Sequence, residues 1–159
     1  MVRSLQSELK QTRAFRSTAE EAYLSIVRTA DIIDRQFAAT LKPYGLTGTQ
    51  YNVLRILRGA GADGLASGEV AERMITREPD ITRLLDRMEE RGLVRRVRDA
   101  SDRRVVRVWI TGAGHELVDK LDGPIDAAHQ HCLGRIGEEA LAQLSDLLGT
   151  IRAFETKGT

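Results

Sequence analysis

Cysteine occurs once in the 159 residues, at Cys132, so no internal disulfide can form and a reducing compartment is implied. Aromatic residues make up only 4% of the chain, too few to wall an aromatic-lined cofactor cavity, and no cofactor is expected. No apolar run approaches the ~20 residues that span a bilayer, so no membrane partner is expected. The first sixteen residues, MVRSLQSELKQTRAFR, lack the apolar centre of a secretory leader. The expectation is a cytoplasmic protein. Charge of either sign is not in excess: 24 Lys and Arg stand against 23 Asp and Glu, a formal net charge of +1 that by itself names no partner. Catalytic patterns are missing as well. No Ser-His-Asp order or pair of catalytic carboxylates can be placed, and the glycines at 59–64 are not followed by the Lys-Ser/Thr of a phosphate loop. An enzyme is not expected. Of the three histidines, His129 and His131 are two apart, which on a helix turns them to different faces, so together with His115 they make no metal site. Cys132 has no lysine or arginine beside it to lower its pKa and reads as a small buried hydrophobe.

Against these absences stands one concentrated feature. Residues 92–112, GLVRRVRDASDRRVVRVWITG, read as strands over 94–98 and 104–110 around a turn holding Asp99, Ser101 and Asp102. Seven arginines (91, 95, 96, 98, 103, 104 and 107) lie between positions 91 and 107, with only Asp99 and Asp102 as acids. A short hairpin with this excess of guanidinium is suited to phosphate or a narrow groove. A local basic patch on a nearly neutral chain can bind DNA while limiting indiscriminate binding elsewhere.

The rest of the chain is 42% hydrophobic and 30% charged, in keeping with a helical protein of large exposed surface. Residues 1–16 predict a flexible arm or an extra helical turn. Ser17 to Glu20 offers a capping box. Tyr23, Ile26, Val27, Ala30, Ile33, Phe37 and Leu41 then recur at helical spacing, until Pro43-Tyr44-Gly45 ends the helix. Thr47 and Gln50 make a second capping box, with Leu46 placed to staple to Tyr51, and Val53, Leu54 and Leu57 continue the buried face. A short helix is predicted from Leu65 to Met74. Ala66 sits at its cap position, and Ser67 is the alternative cap. The next helix is predicted to hold Pro79 in its first turn and to bury Ile81, Leu84, Leu85 and Met88, leaving Arg77, Asp80, Thr82, Arg83 and Arg87 outside. Thr111 caps a fifth helix, which Gly123-Pro124 should kink or interrupt. Leu141, Leu144, Leu147, Leu148 and Ile151 line one side of the last. Two consecutive helices followed by a basic hairpin form a winged helix-turn-helix, a DNA-reading unit. The first helix and the last two carry more apolar face than so small a unit can cover, which predicts a symmetric dimer through the terminal helices.

Leu46-Thr47 with Gln50, Glu69-Val70-Ala71-Glu72, the run from Asp80 to Val94, Asp102-Arg103-Arg104 and Ile110-Thr111 with Gly114 resemble the MarR family of transcription regulators, in order and separation, over about residues 20–154. The resemblance implies a fold that is mainly α with a small β-hairpin wing: about six helices and a two- or three-stranded wing per subunit. The helices at 17–42 and 115–154 would be dimerisation helices, residues 43–114 the reading domain, and 1–16 an arm. It implies a triangular homodimer on double-stranded, pseudo-palindromic operator DNA. The protein would usually be a repressor, released by a small anionic or phenolic effector or by thiol oxidation. Redox-sensing relatives carry their cysteine near the first helix, and this chain has none there. By position, Arg104 resembles a wing arginine that enters the minor groove with Asp102 orienting it, and Arg77 to Arg83 the major-groove start of the recognition helix. Ala66 and Gly68 stand where polar residues are common, and Glu78-Pro79-Asp80 where the family is rich in Ser and Thr.

The candidate DNA-contacting residues are Ser67, Arg77, Asp80, Thr82, Arg83, Arg87, Arg98, Asp102, Arg103 and Arg104. The competing reading of Arg83 and Arg87 is pairing within their helix with Asp80, Asp86 or Glu90. Arg95, Arg96 and Arg98 are read as backbone contacts and salt bridges to the dimer body. Asp80 has two readings: an acceptor for a base donor, or a partner of the helix dipole. Phe37, Tyr44 and Tyr51 are candidates to line an effector pocket, and Phe37 and Tyr51 serve equally as ordinary core. Two rival functions remain open: a non-specific architectural DNA binder, and a winged-helix protein-interaction module without DNA binding.

Overall fold

The fold comes from a computed structural model that describes residues 4–100 and 102–153. Ser101 of the turn, residues 1–3 of the arm and residue 154 of the last predicted helix lie outside the described residues. The chain is mainly helical with one small antiparallel sheet. A four-residue helix α1 (Leu5–Glu8) occupies part of the predicted arm. The long helix α2 (Thr18–Leu41) starts at Ser17, whose side chain accepts from the Glu20 amide. The reciprocal half of that box is shifted: Glu20 accepts instead from the Arg16 amide, at 2.6 Å.

The reading unit follows. Helix α3 (Gly48–Ala60) begins at the full Thr47–Gln50 capping box, and Leu46 and Tyr51 are both buried at its start. Strand β1 (Leu65–Ala66), helix α4 (Ser67–Glu72), helix α5 (Ile81–Glu90), strand β2 (Val94–Arg98) and strand β3 (Val106–Ile110) complete it. The strands run in the order β1-β3-β2, with Leu65 opposite Val108 and Arg96 also opposite Val108. Helix α6 (Gly112–Leu133) and helix α7 (Glu138–Arg152) close the chain. The core gathers Leu54 and Leu57 of α3, Val70 of α4, Leu85 and Met88 of α5, Val108 of β3, and Val118 and Leu121 of α6.

Four expectations are corrected. The segment from Leu65 to Met74 is not one helix. Leu65-Ala66 pair with β3, where Gly64 (φ +62°) lets the chain pass so close to Trp109 that a Cβ would lie 2.6 Å from its Nε1. Ser67 does not cap α4, because its hydroxyl donates to the Val106 carbonyl at 3.1 Å, while Glu69 accepts from the Ala66 amide at 2.9 Å. Pro79 lies outside α5, because Asp80 is the cap: its side chain accepts from the Arg83 amide at 2.9 Å. Pro124 does not interrupt α6. Leu121 and Ile125, both buried, hold the helix on either side of it, and that packing offsets the missing N–H.

Apolar side chains remain exposed on two of the terminal helices. Tyr23 and Val27 of α2 and Leu147 and Ile151 of α7 are each about half exposed or more, and α7 has no buried residue.

Candidate nucleic-acid interface

The wing joins the recognition helix α5 through a tight connection. Gly92 closes α5 and Thr111 receives the chain after β3, donating its hydroxyl to the Gly92 carbonyl at 2.6 Å and accepting from the Gly114 amide at 3.1 Å. A Cβ at Gly114 would collide with the Leu93 carbonyl, so glycine is required where α6 crosses the root of the wing. At the tip, the Asp99 amide donates to the Val105 carbonyl and the Val105 amide to the Asp102 carbonyl, both at 2.9 Å. The Asp102 carboxylate accepts from the Arg104 amide at 2.9 Å. Asp102 therefore holds the Arg104 backbone in the turn. The β3 strand begins at Val106, not Arg104, so Arg103 and Arg104 are turn residues and exposed.

The seven hairpin arginines divide by what they touch. Arg91 donates to the Gly45 carbonyl at 2.8 Å and to Gln50 Oε1 at 3.4 Å, which satisfies a buried amide. Arg95 lies over the Trp109 ring, 4.7 Å from its centroid, and Trp109 in turn donates to the Ala62 carbonyl. Arg96 pairs with Asp86 and Glu89 of α5, and Arg107 with Asp99 at 3.0 Å. Of Arg95, Arg96 and Arg98, read as backbone contacts and salt bridges to the dimer body, only Arg96 forms a salt bridge among the described residues, and it is to α5. The remaining three, Arg98, Arg103 and Arg104, are exposed and form no ion pair among the described residues.

The same holds at the start of α5. Arg77, Thr82, Arg83 and Arg87 are exposed. The competing reading, pairing of Arg83 and Arg87 with Asp80, Asp86 or Glu90, is not realised among the described residues: Asp80 accepts from a backbone amide, Asp86 is taken by Arg96, and Glu90 forms no ion pair. Among the described residues the Arg87 side chain donates to the Arg83 carbonyl, at 3.3 Å, and forms no ion pair. Hydrogen bonds from Arg96 hold the Glu89 carboxyl below the usual glutamate range.

A cleft of about 630 Å³ opens between α2, α3, α6 and the loop before α5. Phe37 and Tyr51 line it, and Tyr44 does not: Tyr44 packs on the core near the end of α2, so that third candidate falls away. The Phe37 ring meets His129 of α6, with centroids 4.8 Å apart. Burial pushes the Tyr51 phenol up. Beyond the cleft, Arg58 donates to Asp119 at 3.1 Å and to Asp122 at 2.8 and 2.9 Å, fastening α3 to α6 at the surface. The hydrogen bond to Asp122 raises the Arg58 pKa, and the Asp122 carboxyl is lowered in return.

The model of the MarR family matches residues 44–105, the segment from Tyr44 to the wing tip. A MarR transcription factor from Planctomyces limnophilus, solved as a crystal structure, is 38% identical, with 86% of this chain and 99% of that chain covered at a TM-score of 0.68. This chain belongs to the MarR family. The transcriptional regulator HosA of Escherichia coli O157:H7 is 34% identical over 94 residues, 59% of this chain and 68% of HosA. CouR from Rhodococcus jostii, whose crystal structure holds p-coumaroyl-CoA, is 31% identical, with 86% of this chain and 95% of CouR covered and a TM-score of 0.72.

As a MarR family member the chain has a winged helix-turn-helix built from α3 to β3. Sequence reasoning missed part of the cleft wall: Asn52, Arg55, Ile75 and Thr76 line it, as does His129. Arg55 was within reach of that reasoning, since it lies four residues after Tyr51 and shares its helix face. Ile75 and Thr76 carry no sequence signal, because they reach the cleft only through the course of the loop after α4. Cys132 is half-buried, not fully buried as expected. No helix among the described residues is long and apolar enough to cross a membrane. Nor do those residues bring together a cluster of three His, Cys, Asp or Glu suited to a metal ion.

Proposed function

We propose that this protein is a homodimeric, sequence-specific DNA-binding repressor, released from its operator by a small anionic or phenolic effector. The observation that carries the DNA reading is the division of the arginines. Arg91, Arg95, Arg96 and Arg107 are engaged within the fold, while Arg77, Arg83, Arg98, Arg103 and Arg104 are exposed without an ion pair among the described residues. Guanidinium groups left open on a helix-turn-helix and its wing suit phosphate and groove edges.

In this reading α5 enters the major groove with Arg77, Thr82 and Arg83, with Arg87 toward the backbone. Arg103 and Arg104 reach the minor groove, held by the turn that Asp102 fastens. Ser67 and Arg98 flank these contacts. Asp80 acts first as the helix cap. The exposed apolar positions of α2 and α7 support a dimer through the terminal helices. The cleft supports the effector reading: Phe37 and Tyr51 offer aromatic surface, and Arg55, which makes no ion pair among the described residues, offers a counter-charge at its rim.

Selection of operator sequences from random duplex DNA with the purified protein tests the reading. Enrichment of a two-fold related sequence with half-sites about one helical turn apart is the expected result. Binding without any enriched sequence would leave an architectural binder, and no DNA binding at all would leave a protein-interaction module.

A further inference from the structure

Between α4 and α5, residues 75–79 have one hydrogen bond to another element among the described residues. Ile75 donates its backbone N–H to Oδ1 of Asn52, on α3, at 2.8 Å. Among the described residues no other hydrogen bond ties residues 75–79 to a neighbouring element; Asp80 donates only to Glu78, two residues away. Asn52, Ile75 and Thr76 all line the cleft. The Ile75 side chain is 80% exposed, so packing does little to hold the loop at this point. Two residues further on is Arg77, and five residues further on is Asp80, the cap of α5.

We propose that Asn52 is a positioning residue for DNA recognition, whose side-chain carbonyl carries the state of the cleft to the start of the recognition helix through the Ile75 amide. This rests on the reading of the cleft as an effector site. Asn52 lines the cleft, and its Oδ1 holds the Ile75 amide of the loop at the same time. An occupant that donates to Oδ1, or presses on Ile75, competes with the one hydrogen bond that, among the described residues, ties 75–79 to α3. The loop then shifts and takes Arg77 and the Asp80 cap with it. A ligand acts on an equilibrium only by binding one arrangement better than another, and here the two arrangements are tether made and tether broken.

The test uses the full chain with Asn52→Ala and Asn52→Asp. Alanine favours helix, so Asn52→Ala keeps α3, and aspartate keeps an acceptor for the Ile75 amide. Hydrogen exchange at the amides of 75–79 and affinity for the selected operator are measured in each. Asn52→Ala speeds exchange and weakens operator binding, each about fivefold, the worth of one net hydrogen bond. Asn52→Asp keeps both near wild type. Unchanged exchange, or unchanged affinity, in Asn52→Ala overturns the proposal. Titration with p-coumarate, an anionic phenol, supplies the second arm. It weakens operator binding of the wild type and adds nothing in Asn52→Ala. An equal loss in both proteins also overturns the proposal. Failure of p-coumarate to affect the wild type counts against the effector reading for anionic phenols, and the exchange and affinity measurements still decide the role of Asn52.

Discussion

Arg96 and Glu89 close the seam between wing and recognition helix: the Arg96 amide donates to Glu89 Oε1 at 2.9 Å, and its guanidinium donates to Oε2 at 2.8 and 3.0 Å. Asp86, one turn earlier on α5, takes a further bond from the same guanidinium. The wing is thereby fixed to α5 as one body, and the angle between the two is set by a half-buried ion pair. Arg96→Ala should cost about 2 kcal/mol of stability, since it leaves two carboxylates facing each other at the seam. Urea denaturation checks this, and a loss within error of zero would remove the seam from the account.

The pH dependence of that seam has a definite sign. Glu89 is held below its ordinary pKa by Arg96, so the pair contributes stability that is complete above the unfolded glutamate range. That contribution is lost as pH falls through the lowered value. Glu89→Gln should therefore flatten the acid limb of the stability curve, leaving wild type and variant closer at low pH than at neutrality. Parallel curves down to acid unfolding would contradict the assignment.

Asp80 caps α5, so Asp80→Ala should cost ~1 kcal/mol, while Asp80→Asn, which keeps the accepting oxygen, should cost little. Thermal unfolding separates the two. Operator selection with Asp80→Asn then isolates any base reading: an altered motif in a stable protein assigns Asp80 a contact with a base, and an unaltered one leaves it as a cap.

The exposed apolar positions on α7 predict that sedimentation at micromolar concentration gives twice the 17.7 kDa chain mass. Leu147→Glu places a charge on a side chain that is 65% exposed in the isolated chain. It should leave the fold intact and split the dimer, because a charge buried at an interface without a partner is strongly unfavourable. A wild-type monomer, or a dimer indifferent to Leu147→Glu, would rule out assembly through this helix.

Much of this architecture was legible in the sequence wherever the signal was local. The Thr47–Gln50 box, the stripe of Leu84, Leu85 and Met88, and the alternation around Val94 and Val108 each depend on residues close in the chain. Strand β1 was not legible, since two residues carry no periodicity and Leu65-Ala66 become a strand only by lying against β3. Pro124 misled because its cost is local while the packing of Leu121 and Ile125 that offsets it is not. The hairpin was recognisable from its seven arginines, but their division was not. Whether Arg96 or Arg104 is engaged depends on Asp86 and Glu89 being presented across the seam by another element.

That division is the central claim, and the salt dependence of operator binding tests it most directly. Arg103→Ala and Arg104→Ala should each weaken binding by ~1–3 kcal/mol and flatten the slope of log affinity against log salt by about one ion. Arg91→Ala, which removes a bond to the Gly45 carbonyl, should lower stability and leave the slope unchanged. Wild-type affinity and slope in both wing-tip variants would contradict the account.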